Sequence, residues 1–278
     1  MSDNRLIDTY GLTDIGKVRS NNEDQFLVAC LHKSMDLRHT SLTVADLFDN
    51  LRDSEAHILV VADGVGGVPG GQLASGTAVH ALIDYISHTM GCYYGHGVDR
   101  EHEFISQLEE AVQHTHERVQ QEHGSKGRGP ATTLTMVILI WPRAYIVQVG
   151  DSRGYYLRKG RLKQFTRDQT MSELMVDEGV MSEAEARDSG LDHVLASAIG
   201  VDAKPSIGLL DLEWGDTLLL CTDGLTKHLT DIAISEILQR SGSAHDLCHQ
   251  LVSTALERGG RDNITVVIGR MGEAEDQG

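Results

Sequence analysis

Basic residues are scarce in this chain. Lys and Arg number 24 against 41 Asp and Glu, a formal net charge of −17 over 278 residues. That balance excludes nonspecific affinity for nucleic acid, whose phosphate backbone selects Lys and Arg. Most of the acidic surplus is accounted for by solubility. For an anionic substrate the local field would have to be reversed by bound divalent cations. Cysteine is scarce too. Cys30, Cys92, Cys221 and Cys248 are scattered, with no CxxC pair, which excludes a disulfide scaffold. Cys30 and Cys221 fall in strand-like runs and are expected to be small buried hydrophobes; reduced thiols fit a cytosolic protein. No apolar stretch approaches the roughly 20 residues needed to span a bilayer. Residues Met1–Arg5 lack the basic-then-apolar plan of a secretion signal. A cytoplasmic location, with no membrane and no nucleic-acid partner, is therefore expected. No phosphate loop of the GxxxxGK[ST] kind, no internal repeat and no long linker is present. A single domain over 1–270 with an acidic tail over 271–278 is the expectation.

What is present is a series of short strand-like runs: Leu6–Thr13, Gln25–Cys30, His57–Ala62, Thr132–Ile140, Arg143–Val149, Tyr155–Arg158, Arg161–Phe165, Asp216–Thr222 and Ile264–Ile268. Between the second and third lies a polar insertion, His32–Glu55, helical in character through Val44–Leu51. Two amphipathic helices follow the third run. The first shows the stripe Leu73, Ala74, Thr77, Ala78, Ala81, Leu82, Tyr85, Ile86; the second shows Phe104, Ile105, Leu108, Ala111, Val112, Thr115, Val119. Cys92–Arg100 and Ser125–Pro130 read as loops. Met171–Val194 is a small, charged helical excursion, with a capping box in Ser182–Glu185. Two more helices follow Asp223, the second burying Leu247, Cys248, Leu251, Val252, Ala255 and Leu256 before Gly259 and Gly260. Strands cluster and helices come in consecutive pairs, so the fold class is α+β.

Several motifs fail on context. Gly150-Asp151-Ser152-Arg153-Gly154 has the form of a serine-hydrolase elbow, but a strand follows it where that elbow requires a helix. Gly64-Val65-Gly66-Gly67-Val68-Pro69 follows a strand, yet its sixth position is Pro and no acidic residue ends a second strand at the expected distance. In His116-Glu117-Arg118-Val119-Gln120, Gln stands where a zinc helix needs its second His. His245, Cys248 and His249 share a helical turn, but Cys248 lies on the apolar stripe. Cys221 has Lys227, not Arg, six positions on, so cysteine-based phosphate chemistry fails as well.

One constellation remains. Asp63 and Asp223 each end an apolar run and precede a glycine; Asp151 sits in a glycine loop after a strand; Asp262 precedes the last strand. Glu23 and Asp24 follow Arg19 near the N-terminus. Carboxylates gathered at strand ends repel one another unless a cation lies between them. Hard oxygen donors of this kind suit Mg²⁺ or Mn²⁺.

The segments Thr13–Arg19, Asn22–Asp24, Val61–Gly67, Ala131–Leu134, Val149–Arg153, Leu220–Leu225 and Arg261–Thr265 together resemble, in order, the metal-dependent protein phosphatases, the type 2C serine/threonine family, in its compact bacterial form. The resemblance implies a four-layer α-β-β-α sandwich of two antiparallel sheets flanked by helix pairs, with a helical flap at 171–194. It implies two, and up to three, Mn²⁺ or Mg²⁺ ions, with water between the ions attacking phosphoserine or phosphothreonine of a protein directly. By the same match, Asp63 bridges the ions and the Gly64 carbonyl serves the second. Asp223 and Asp262 hold the first; Glu23 and Asp24 act near the second through water. Asp151 with Asp223 holds the third, and Arg19 grips the phosphoryl oxygens. Phosphorylated proteins, among them targets of a Ser/Thr kinase, are the implied partners. The alternative is an inactive phosphoprotein-binding module of the same fold. Three positions depart from the family pattern: Val65 where many members carry a proton-donating His, Gln169 for a common His, and Pro130-Ala131 for Met-Gly.

Overall fold

The structure, a computed structural model, describes residues 5–32, 55–65, 70–88, 98–123 and 129–273. The insertion between His32 and Glu55, Gly66–Pro69, Cys92, most of the Ser125–Pro130 cluster and the end of the acidic tail lie outside the described residues.

Among the described residues eleven strands form two antiparallel sheets. Strands β1 (Arg5–Asp14), β7 (Arg153–Arg158), β8 (Arg161–Gln164), β10 (Thr217–Cys221) and β11 (Ile264–Glu273) make a five-stranded sheet in the order β1-β11-β10-β7-β8. The second sheet runs β2 (Asp24–His32), β3 (Glu55–Val65), β5 (Leu134–Ile140), β6 (Arg143–Val149), β9 (Ser206–Asp211), with the two-residue β4 (Ala131–Thr132) paired to β3. Helices α1 (Gly70–His88) and α2 (Val98–His123) precede β4; α3 (Met171–Asp177) and α4 (Glu183–Asp188) form the excursion between β8 and β9. Helices α5 (Asp223–Thr226), α6 (Asp231–Leu238) and α7 (Ala244–Glu257) lie between β10 and β11.

Alternation along the central strands explains the layering. On β3, Ile58 and Val60 join α1 and α2 in one core, while Leu59 and Val61 point into the space between the sheets. On β10, Leu219 and Cys221 face the second helix layer, and Leu218 and Leu220 face the other sheet. Strands covered on both faces need apolar side chains on both, which is why these runs show no polar alternation. The result is the expected α-β-β-α sandwich. No described helix is long and apolar enough to cross a membrane.

The capping box at Ser182 forms as expected, with the Glu185 side chain accepting from the Ser182 backbone. Several expectations need correction. Strand β9 was not recognised, because Ser206–Asp211 carries a central glycine and alternates only between partly buried and exposed positions at a sheet edge. Cys30 is exposed, since β2 is the opposite edge of that sheet. Leu73 is 55% exposed because the inward face of α1 is set by Gly71, Ala74, Ser75 and Ala78. Val98–Arg100 begin α2 and are not loop. Strand β11 runs past 270 to Glu273, since Ile7, Leu6 and Arg5 of β1 pair with Met271, Gly272 and Glu273.

Candidate metal centre

The central strands deliver their carboxylates to one end of the sandwich. Asp24 opens β2 and lies directly opposite Asp63 on β3, so the register alone puts both on the same face. Asp223 follows β10 as the first residue of α5, and Asp262 stands two residues before β11. Asp151 lies in the turn joining β6 to β7. Arg19 and Glu23 come from the segment joining β1 to β2. Of the eight positions singled out in the sequence, seven line one cavity of about 190 Å³: Arg19, Glu23, Asp63, Gly64, Asp151, Asp223 and Asp262. Val65 lines it too, and the excursion after β8 contributes His193 and Leu195 to its wall.

Asp24 is the eighth, and it sits behind the cavity. Only 2% exposed, its Oδ2 accepts hydrogen bonds from Thr222 Oγ1 (2.8 Å) and Thr265 Oγ1 (2.7 Å). Its Oδ1 is buried without a protein partner. An orphaned buried carboxylate oxygen is costly unless water or an ion meets it.

Backbone contacts hold the rest in place. Asp63 N–H donates to Thr133 Oγ1 (2.9 Å), and its carbonyl accepts from Thr133 N (2.9 Å) and Thr132 Oγ1 (2.9 Å). Asn263 receives Glu23 N–H on Oδ1 (2.9 Å) and donates Nδ2 to the Ile15 and Asn21 carbonyls (2.9 Å each). It thereby ties the Arg19 segment to the start of β11. Gly64 is required by packing: a Cβ there would stand 2.4 Å from the Gly71 carbonyl of α1. Gly150 takes φ +100°, a left-handed conformation, and a Cβ would meet Thr133 at 2.7 Å. Gln169 has a defined role beside it, accepting Gly150 N–H on Oε1 (2.8 Å) and donating to the Lys204 carbonyl (3.1 Å). The departure at Gln169 thus anchors the turn that carries Asp151.

The electrostatics are those of crowded acids. Burial, then Asp24, Asp223, Asp151 and Asp262, push the Asp63 carboxyl well above the usual carboxylate range. Burial raises Asp24 to about 7, against the pull of its two threonine hydrogen bonds. Burial and the neighbouring Asp223 raise Asp151 to about 7. Asp262 is the exception: burial pushes it up, but Lys227 and Arg19 outweigh that and leave it below the usual value. Arg19 Nε sits 2.7 Å from Asp262 Oδ1. Lys227 Nζ lies 2.5 Å from Asp223 Oδ2 and 2.8 Å from Asp262 Oδ2.

Among the described residues no three His, Cys, Asp or Glu side chains are drawn into a ready-formed ion cage; two of these carboxylates hold basic side chains instead. The donor set nevertheless fits a hard divalent ion. It offers oxygen alone, a surplus of buried negative charge and an unsatisfied Asp24 oxygen. Lys227 was missed in the sequence. Its signal was available: it stands four residues after Asp223 on a short helix, the spacing of an i, i+4 ion pair. Asn263 and the threonines at 133, 222 and 265 were also missed as supports, since isolated hydroxyls and amides at and beside strand ends carry no motif.

The rejected sites are occupied otherwise. Ser152 is fully buried, with its Oγ 2.8 Å from Thr133 Oγ1. Ser152→Ala is expected to cost about 1 kcal/mol in denaturant unfolding, and a fluorophosphonate should leave Ser152 unlabelled. Labelling at that position would restore the serine-nucleophile reading. His116 Nδ1 accepts Gly200 N–H (3.0 Å), a structural bond. Cys248 is buried against the Tyr10 carbonyl, and the His245 and His249 rings of the same helix lie tilted at 4.4 Å from each other.

Comparison with known proteins bears on the family and the fold. A family model described as protein phosphatase 2C matches residues 38–258. The serine/threonine protein phosphatase PstP of Mycobacterium tuberculosis is 31% identical over 261 residues, covering 92% of this chain and 43% of that protein. The chain thus spans under half the length of that relative. Among solved structures, a serine/threonine phosphatase of S. agalactiae superposes with a TM-score of 0.77 at 25% identity, covering 96% of this chain and 100% of the other. The catalytic domain of PstP in complex with two manganese ions gives 0.70 at 30% identity, covering 96% and 99%.

Proposed function

Since the chain belongs to the protein phosphatase 2C family, we propose that it hydrolyses phosphoserine and phosphothreonine in proteins, with two Mn²⁺ or Mg²⁺ ions held at the strand-end carboxylates. The observation that carries this reading is the convergence of acidic side chains from five separate segments, with Arg19, on one cavity. Asp63, the Gly64 carbonyl, Asp223 and Asp262 would hold the two ions, and Glu23 and Asp24 would orient the water around them. Asp151 with Asp223 would hold a third. When bound, such ions supply an activated attacking water and neutralise charge on the phosphoryl group.

The chain's own residues do the rest. Arg19 offers a planar, permanently charged fork suited to two phosphoryl oxygens. Its contact with Asp262 fixes where that fork stands before substrate arrives, which spares ordering on binding. Asp24 is buried away from bulk water, and Asp63 is half-buried with its backbone held by Thr132 and Thr133. The cavity is shallow and polar, so it recognises the phosphoryl group more than any one peptide side chain. Sequence preference then falls to its rim, where His193 of the flap and the adjoining Leu195 stand, and to loops. The substrate would be the product of a Ser/Thr kinase.

Release of phosphate from a phosphothreonine peptide should require added Mn²⁺ or Mg²⁺ and fall to background in excess chelator. Turnover that persists undiminished in chelator would falsify the metal-dependent reading.

A further inference from the structure

Lys227 is the C-terminal cap of α5, and its backbone N–H bonds the Asp223 carbonyl at 2.8 Å. From this fixed base its side chain reaches two carboxylates that come from different segments of the chain. Its Nζ touches Oδ2 of Asp223 and Oδ2 of Asp262, at 2.5 and 2.8 Å. The other oxygen of Asp262 is engaged by Arg19 Nε and by the Asn263 N–H. The ammonium therefore stands where two like charges would otherwise face each other, and it neutralises one of them. A hard divalent ion bound by those same oxygens would lie roughly 2.0–2.2 Å from each. Two cations cannot share that place.

We infer that Lys227 is a built-in counter-cation of the Asp223–Asp262 pair, which an incoming divalent ion must displace, so that this side chain sets how much metal the protein requires. The inference rests on the reading of Asp223 and Asp262 as ion ligands. The displacement is mechanically easy. The Lys227 side chain is 38% exposed, and a flexible four-carbon stem can carry its strongly hydrated head to solvent. The repulsion is substantial, because the charges meet within a few ångströms in a partly buried cavity. Arg19 differs in this respect: among the described residues it pairs with Asp262 and is not shared with Asp223.

The test uses Mn²⁺ alone, with unbound ion counted by electron paramagnetic resonance, and the melting temperature of metal-stripped protein. Lys227→Gln is expected to lower the Kd for Mn²⁺ about tenfold. It should also lower the melting temperature of stripped protein, with Mn²⁺ closing the gap to wild type. Lys227→Arg, which keeps the charge, should stay near wild type in both. A purely structural salt bridge would change melting and leave the Kd alone, so an unchanged or weaker Kd in Lys227→Gln overturns the inference while the ion centre stands. If neither wild type nor variant takes up Mn²⁺, the ion-centre reading itself fails, and this inference with it.

Discussion

Replacing Asp63 with Asn should lower kcat at least ~100-fold at saturating Mn²⁺, while the metal-stripped variant unfolds at a higher temperature than wild type. The two halves come from one cause. Asp63 is fixed by its backbone, through Thr133 Oγ1, Thr133 N and Thr132 Oγ1. Asn will therefore occupy the same place, and the substitution removes charge without moving the strand end. Burial and four neighbouring carboxylates oppose ionisation of Asp63, so removing that charge relieves the folded state. The same charge is what Asp63 would supply to the ions of the proposed centre. Asp223→Asn should act in the same direction on turnover. Kinetics with a phosphothreonine peptide and thermal unfolding in chelator measure both halves. Turnover within tenfold of wild type would remove Asp63 from the centre, whatever the stability did.

The parts of this protein that sequence made legible are those where one residue type must satisfy one local demand. The apolar runs of β3, β10 and β11 were recognisable because each is covered on both faces. Their terminal carboxylates stood out because acid followed by glycine or asparagine interrupts such a run. The inner stripe of α2 was readable from its period, and Phe104, Leu108, Ala111, Val112, Thr115 and Val119 are all buried. What failed depended on position in the sheet or on distant partners. Cys30 looked buried because its neighbours are apolar, and only the strand order shows that β2 is an edge. β9 has too little apolar character to announce a strand, and it exists because β6 offers an unpaired edge. Asp24 was read as acting near the second ion through water, but its hydrogen bonds from Thr222 and Thr265, some two hundred positions away, were not legible. Lys227 was visible as an i, i+4 partner of Asp223, but not as a partner of Asp262.

Metal-stripped protein should be less stable at pH 8 than at pH 5, the reverse of ordinary acid sensitivity. Asp24 and Asp151 rise from an ordinary 3.8 to about 7 on folding, and Asp63 and Glu23 rise in the same direction. Between about pH 4 and pH 7 the folded chain holds protons that the unfolded chain has released. Stability must then fall as pH rises through that window and level off above it. One buried carboxyl shifted this far represents on the order of 4 kcal/mol over the whole window, of which about 3 kcal/mol falls between pH 5 and pH 8, and a melting temperature roughly 10 °C lower at pH 8 is expected. Opposing groups are weaker or act elsewhere. Asp262, Glu185 and Asp246 are lowered, so their stabilisation is lost only as pH falls below the window. His116 is lowered by burial and favours higher pH, one imidazole against several carboxyls. Mn²⁺ at pH 8 should restore more stability than at pH 5, because protons and ions compete for the same oxygens. A melting temperature that is flat or rising from pH 5 to pH 8 in stripped protein would show that these acids do not crowd as the structure places them.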